Sequence, residues 1–193
     1  MCMNKNKIES YSLASDSWGA EEIEAINSVI KSNRYTMGPK VKKFEEEFAQ
    51  YFGTNYGIMV NSGSSANLLM IASLFLSNEY DLNKGDEVIV PAVSWSTTYY
   101  PVSQYGLKLV FVDIDRTTLN IDIDEVIKAI NPKTKVIFAV NLLGNPCDFE
   151  RLQSLCNEKN IILIEDNCES LGAEYKKQYT GTFGIMGSFS FFF

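Results

Sequence analysis

Residues 161–193 read IILIEDNCESLGAEYKKQYTGTFGIMGSFSFFF, and the first six of them decide the fold. Four consecutive aliphatics run directly into Glu165 and Asp166, the pattern of a strand covered on both faces that delivers a carboxylate at its C-terminal end. A carboxylate placed there is costly unless a cationic or hydrogen-bonding group meets it. In an open α/β sheet the carboxyl ends of the strands are also where ligands sit. The question for every other segment is therefore what it brings to Asp166.

Working outward, the same alternation of short apolar runs with amphipathic stretches recurs. Glu87–Pro91, Lys108–Asp113 and Lys135–Val140 read as strands, and Tyr56–Val60 as a further short one. Residues 19–32, capped by Ser17 or Gly19, read as a helix with Ile23, Ile26, Val29 and Ile30 on a core-facing stripe. A second helix begins at Pro39 and ends near Gly53, with Val41, Phe44, Phe48 and Tyr51 apolar. Others run through Leu68–Leu76, over 122–130 behind an Asp122 cap, and from Asp148 through Leu152, Leu155 and Cys156. Strands and helices alternating at short spacing predict an α/β fold with a mainly parallel, two-faced sheet. The two helices before the first strand are expected as an arm on the sheet or on another subunit.

Composition narrows the chemistry. The 193 residues are 46% hydrophobic with a formal charge of −7, enough to bury one large core. Three arginines, Arg34, Arg116 and Arg151, make no basic stripe for nucleic acid. There is no histidine, and Cys2, Cys147, Cys156 and Cys168 form no C-x-x-C pair. A zinc site or a His-dependent nucleophile cannot be built from these residues, and the thiols read as buried and reduced. A polar N-terminus and the absence of a span-length apolar run lead to the expectation of a cytoplasmic protein without membrane contact.

Three strand ends carry distinctive residues. After Val60, the small-residue turn Asn61–Asn67 opens a helix, an arrangement that aims backbone N–H groups at an anion, although a capped turn with no ligand accounts for it equally. The spacing matches neither the Walker pattern nor G-x-G-x-x-G. Trp95, among small hydroxyl residues past Pro91, suits either stacking on a planar ring or packing in an interface. Asp166 is the acid. A phosphorylated, flat, nitrogen-containing ring uses all three, and pyridoxal phosphate (PLP) needs an acid against its pyridine nitrogen to serve as an electron sink.

The segments SWGAEEIEAI, RYTMGPKVKKFEEEFAQYFG, NSGSSANL, GDEVIVPAVSW, FVDID, LLGNPCD, IEDNCESLGAEY and GTFGIMGSFSFF, in this order from about Leu13 onward, resemble the N-terminal half of the sugar aminotransferases of the DegT/DnrJ/StrS type. That family lies within the fold-type I PLP enzymes. The resemblance implies that residues 1–193 hold the N-terminal segment and most of a three-layer PLP-binding large domain, incomplete at the C-terminus, with the small C-terminal domain absent. It places Gly63 and Ser64 at the cofactor phosphate, Trp95 on the pyridine ring, Asp166 on the ring nitrogen and Ser190 on the phosphate. Glu169 stands where most aminotransferases of the family have glutamine or histidine. With the V-S-W-S-T-T segment it resembles the branch of PLP-dependent 3-dehydratases of nucleotide-linked 4-keto-6-deoxysugars, in which histidine replaces lysine and the cofactor works as pyridoxamine phosphate (PMP).

The resemblance thus implies polysaccharide or O-antigen biosynthesis, with a nucleotide-sugar substrate, an amino donor such as glutamate, and a homodimer. The proton-transferring lysine or histidine is expected about five residues after Ser190, beyond Phe193; Lys176 and Lys177 read instead as solvated charges of a hairpin. The apolar ending SFSFFF is expected as an unfinished strand edge of a truncated chain. Transamination and C3 dehydration of the sugar both stay open, and a catalytically inactive fragment or partner subunit, or an unrelated nucleotide-binding domain, are the further alternatives.

Overall fold

The computed structural model describes residues 17–191; Cys2, Leu13, Phe192 and Phe193 lie outside the described residues. The chain divides into two units, Met1–Phe44 and Glu45–Phe193.

In the first unit, α1 (Ala20–Ser32) starts at Gly19, whose N–H donates to Glu22 Oε2 at 2.7 Å, and stops where Asn33 turns left-handed. The apolar stripe of α1 is not core as the periodicity predicts: α1 buries none of its residues, Ile23, Ile26 and Ile30 included. Amphipathic spacing fixes which face is apolar without supplying the surface that covers it. The unit ends within α2 (Pro39–Phe52), whose first residue is the proline expected in a first turn.

The second unit is built on a sheet of five strands, in the spatial order Lys108–Val112, Glu87–Pro91, Thr134–Val140, Ile162–Asp166 and Met186–Ser188, with every neighbouring pair parallel. In chain order its elements are α3 (Gly63–Leu76), β1 (Glu87–Pro91), α4 (Ser96–Gln104), β2 (Lys108–Val112), α5 (Ile123–Ala129) and β3 (Thr134–Val140). They continue with α6 (Phe149–Lys159), β4 (Ile162–Asp166), the hairpin strands β5 (Glu174–Tyr175) and β6 (Gln178–Tyr179), and β7 (Met186–Ser188).

The strands are apolar on both sides, as an all-parallel sheet requires. Val88, Val90, Val136, Phe138 and Ile164 pack with Met70, Ile71 and Leu74 of α3 and Val102 of α4. Ile89, Ile137, Ala139 and Leu163 point the other way, into Val126 of α5 and Phe149, Leu152 and Leu155 of α6. Each fully buried side chain among these contributes on the order of 1.5–3 kcal/mol. The result is the three-layer α/β fold that the alternation predicts, with the helices split between two faces.

Two further readings of the sequence need correction, and one helix is unforeseen by it. Tyr56–Val60 is not a strand but an unpaired extended segment, with Tyr56 85% exposed; its apolar run finds no strand to pair with among the described residues. Residues 96–104 form a helix despite Thr97, Thr98 and the internal Pro101. The strand before the C-terminal phenylalanines is short, ending at Ser188, while Phe189 turns onto Phe48 and Phe52 of α2, its ring centroids 5.0 and 4.9 Å from theirs. The hairpin reading of Lys176 and Lys177 agrees with the structure: both occupy the left-handed turn of β5–β6, and Lys176 Nζ pairs with Glu150 Oε2 at 2.7 Å.

Candidate cofactor site

β4 ends in two carboxylates that the pleat sends to opposite faces. Glu165 is wholly buried and belongs to the scaffold. Its Oε1 accepts the N–H groups of Phe183 at 2.6 Å and Gly184 at 2.7 Å, and its Oε2 accepts Gly181 N–H at 2.6 Å and Asn141 Nδ2 at 3.2 Å. Burial pushes this carboxyl up from its ordinary value, and the hydrogen bonds, led by Gly184, pull it back. The effect is to pin the 181–184 turn that leads into β7.

Asp166 is 5% exposed and points the other way, into the ends of α3 and α4. Oδ2 accepts Asn67 Nδ2 at 2.8 Å and Thr98 Oγ1 at 2.7 Å, while Oδ1 accepts Cys168 N–H at 3.2 Å and Ser188 Oγ at 3.4 Å. All four donors are neutral. The negative charge also acts outward: it adds to the burial that pushes the Cys168 thiol up, and it raises Tyr99, whose shift comes first from desolvation.

The other residues singled out in the sequence gather around this acid. Ser62 caps α3, its hydroxyl accepting Ser65 N–H at 3.2 Å and its carbonyl accepting Ala66 N–H at 3.0 Å. Gly63 and Ser64 thus lie in the first turn, where N–H groups have no intrahelical acceptor. A Cβ on Gly63 would lie 2.6 Å from Cys168 Sγ, 2.9 Å from Ser190 Cβ and 3.3 Å from Ser190 Oγ. Only glycine allows the helix start, the Ser190 hydroxyl and the turn after Asp166 to meet. Trp95 is the N-cap of α4, its carbonyl accepting Thr98 N–H at 3.1 Å, so its indole stands one turn from a residue bonded to Asp166 while remaining 69% exposed.

Glu169 is exposed, with Oε2 accepting the N–H of Leu143 at 3.2 Å. It braces the Leu142–Gly144 turn together with Ser170, whose Oγ accepts Gly144 N–H at 2.9 Å. A polar cleft of about 460 Å³ beside α5 and α6, lined in part by Asp115, Asp122, Asp148 and Arg151, contains none of these residues.

Sequence reasoning missed Asn67 and Thr98. The signal for Asn67 was present: Gly63, Asn67, Ile71 and Leu74 share the buried stripe of α3, and an amide on a core-facing stripe requires a polar partner. Thr98 carried no such mark, because its helix was not foreseen.

The residues fit a PLP-type ring. The start of α3 beside Gly63 offers backbone N–H groups and the neighbouring Ser190 hydroxyl to an anion, an exposed indole offers a face, and no cation pairs with the acid among the described residues. The chain belongs to the DegT/DnrJ/EryC1/StrS aminotransferase family, whose model matches residues 16–193. It is 56% identical over 183 residues to a GDP-4-keto-6-deoxy-D-mannose 3-dehydratase of Yersinia pseudotuberculosis, covering 95% of this chain and 47% of the relative. A dTDP-4-dehydro-2,6-dideoxy-D-glucose 3-dehydratase of Saccharopolyspora spinosa is 40% identical over 161 residues, 82% of this chain and 35% of its own length. Among solved structures, the E. coli GDP-4-keto-6-deoxy-D-mannose-3-dehydratase with bound hydrated PLP superposes with a TM-score of 0.89 at 55% identity, over 93% of this chain and 46% of that one. The chain thus spans about half the length of the relatives it matches. No helix among the described residues is long and apolar enough to cross a membrane.

Proposed function

We propose that this chain supplies the cofactor half of a PLP- or PMP-dependent site acting on a nucleotide-linked 4-keto-6-deoxysugar, and that the reaction is loss of the C3 hydroxyl. The observation that carries the reading is Asp166: a carboxylate buried at a strand end among four neutral donors, with no cation paired to it among the described residues. A protonated pyridine nitrogen supplies that cation. Bound there, the ring provides the electron sink for breaking a bond on the attached sugar.

The chain's own residues then have distinct tasks. Asp166 keeps the ring nitrogen protonated. Gly63 and Ser64 N–H groups with the Ser190 hydroxyl hold the phosphate, Trp95 covers one ring face, and Glu169, three residues past the acid, is the second catalytic and cofactor-contacting group. Neither lysine of the β5–β6 hairpin serves as proton carrier, since both occupy its tight left-handed turn and Lys176 is paired with Glu150. We place that carrier, a lysine or histidine, about five residues after Ser190, beyond Phe193, in the part of the relatives' length that this chain does not span.

Dehydration is preferred to transamination because both curated relatives described above, at 56% and 40% identity, carry 3-dehydratase names. In this reading glutamate regenerates the amine form of the cofactor, two subunits complete the site, and the setting is cytoplasmic O-antigen or polysaccharide synthesis. Titrating the chain with PMP and PLP, followed by cofactor absorbance, tests the site: Asp166→Asn should weaken binding at least tenfold, since a buried charge pair is lost. Equal binding by wild type and Asp166→Asn would sink the reading. Offering GDP-4-keto-6-deoxymannose with glutamate to a protein in which this chain is continued over the rest of its relatives' length separates the reactions, a 3-deoxy product supporting dehydration and a 4-amino sugar transamination.

A further inference from the structure

We infer that Asn67 and Thr98 are positioning residues: they grip Asp166 by Oδ2 alone and thereby set the direction in which Oδ1 meets the cation. This rests on the cofactor reading above, and concerns how the acid is aimed rather than whether it is used.

The asymmetry of the carboxylate is the first support. The two short bonds, 2.8 and 2.7 Å, both fall on Oδ2; Oδ1 has only contacts of 3.2 and 3.4 Å, the shorter being a local turn to the amide two residues on. A carboxylate oxygen with two good donors is saturated, so a further donor goes to Oδ1.

The second support is what Asn67 gives up. The side chain is 1% exposed, and its Oδ1 is buried without a hydrogen-bond partner among the described residues. Turning the amide over would set oxygen against Asp166 Oδ2, so the orientation is fixed by the acid. Packing alone would be better served here by leucine, which leaves no orphan. The amide is retained for its donor.

The third support is the route by which the grip reaches the ring face. Thr98 has one O–H and gives it to Asp166, so its Oγ1 accepts from Ser94 Oγ at 2.8 Å, and Ser94 immediately precedes Trp95. Pro101 lacks the N–H that would bond to Thr97 O in a regular helix, and Asn67 Nδ2 reaches that carbonyl at 3.5 Å. The helix that presents the phosphate turn and the helix capped by Trp95 therefore converge on the same oxygen.

The test compares Thr98→Val, which keeps the shape and deletes the hydroxyl, with Thr98→Ser, which keeps the hydroxyl, and adds Asn67→Leu. All are made in the 193-residue chain alongside Asp166→Asn. In PMP titrations, Thr98→Val and Asn67→Leu are expected to weaken binding about tenfold each, the loss of one hydrogen bond to a charged group, and to shift the absorbance band of the bound cofactor. Thr98→Ser restores both. A crystal of cofactor-free Thr98→Val is expected to show the Asp166 carboxylate turned from its wild-type orientation. If Asp166→Asn loses affinity but Thr98→Val and Asn67→Leu bind as wild type does, the inference fails and the cofactor reading stands. If wild type binds neither PMP nor PLP, the cofactor reading fails, and the carboxylate in the Thr98→Val crystal still decides the grip: turned supports it, unmoved overturns it. Should Thr98→Val not fold, Asn67→Leu carries the same comparison.

Discussion

Replacing Glu165 by glutamine should destabilise the chain by about 3 kcal/mol, although the two side chains have nearly the same shape. The wild-type carboxylate accepts two donors on each oxygen. Glutamine keeps one oxygen, so its NH2 must face two of those donors whichever way it lies. Placed toward Oε1, it confronts the N–H groups of Phe183 and Gly184. Placed toward Oε2, it confronts Gly181 N–H and Asn141, and the latter cannot flip because its Oδ1 accepts Cys147 N–H at 3.0 Å and its Nδ2 also donates to Asn167 Oδ1 at 3.1 Å. Two hydrogen bonds to a charged acceptor are lost, roughly 1.5–3 kcal/mol each. Against this stands the relief of no longer burying a carboxylate, the same burial that pushes Glu165 up. Urea unfolding followed by circular dichroism, with exposed Glu174→Gln as control, measures the difference. A loss below about 1 kcal/mol would refute the view that Glu165 is held as an acceptor of four donors rather than merely filling space.

Two further outcomes follow from the same geometry. Gly63→Ala should lower stability by about 1–3 kcal/mol, since the new methyl meets Cys168 Sγ at 2.6 Å and Ser190 Cβ at 2.9 Å; a thermal melt reads this, and adding Cys168→Ala should recover only part because Ser190 remains. The thiols should be inert: burial pushes Cys156 up to about 12 and Cys147 higher still, from an ordinary value of 9.0. Because the folded-state values lie above the unfolded ones, the protonated thiols favour the fold, and that contribution is intact below pH 9 and lost as pH rises from 9 toward 12. Iodoacetamide at pH 8 should therefore label Cys147 and Cys156 far faster in urea than in buffer, with labelling of the native chain at the unfolded rate as the contrary result.

The parts of this fold that could be read from sequence are those where local chemistry and burial agree. Residues 88–90, 136–140 and 162–164 are apolar at every position because both faces are covered, and Asp122 and Asp148 announce their helices by accepting first-turn N–H groups. Where the two disagree, the sequence misleads. Tyr56–Val60 has the composition of a strand, but a strand is defined by its neighbour. The helix at 96–104 contains β-branched residues and a proline, and is held by bonds from elsewhere, including those from Asn67 and to Asp166. In the site, the acid, the glycine turn and the tryptophan carry recognisable chemistry; Asn67 and Thr98 are ordinary residues whose importance lies in what they face across the fold.

The bonds on Asp166 Oδ2 join residues 99 and 68 positions apart in sequence. Such closures have the largest entropic cost and form only after much intervening chain is ordered. During synthesis Asn67 and Thr98 leave the ribosome long before their acceptor does. The pocket is thus among the last features to assemble, and a bound cofactor would report that folding is finished rather than help it begin.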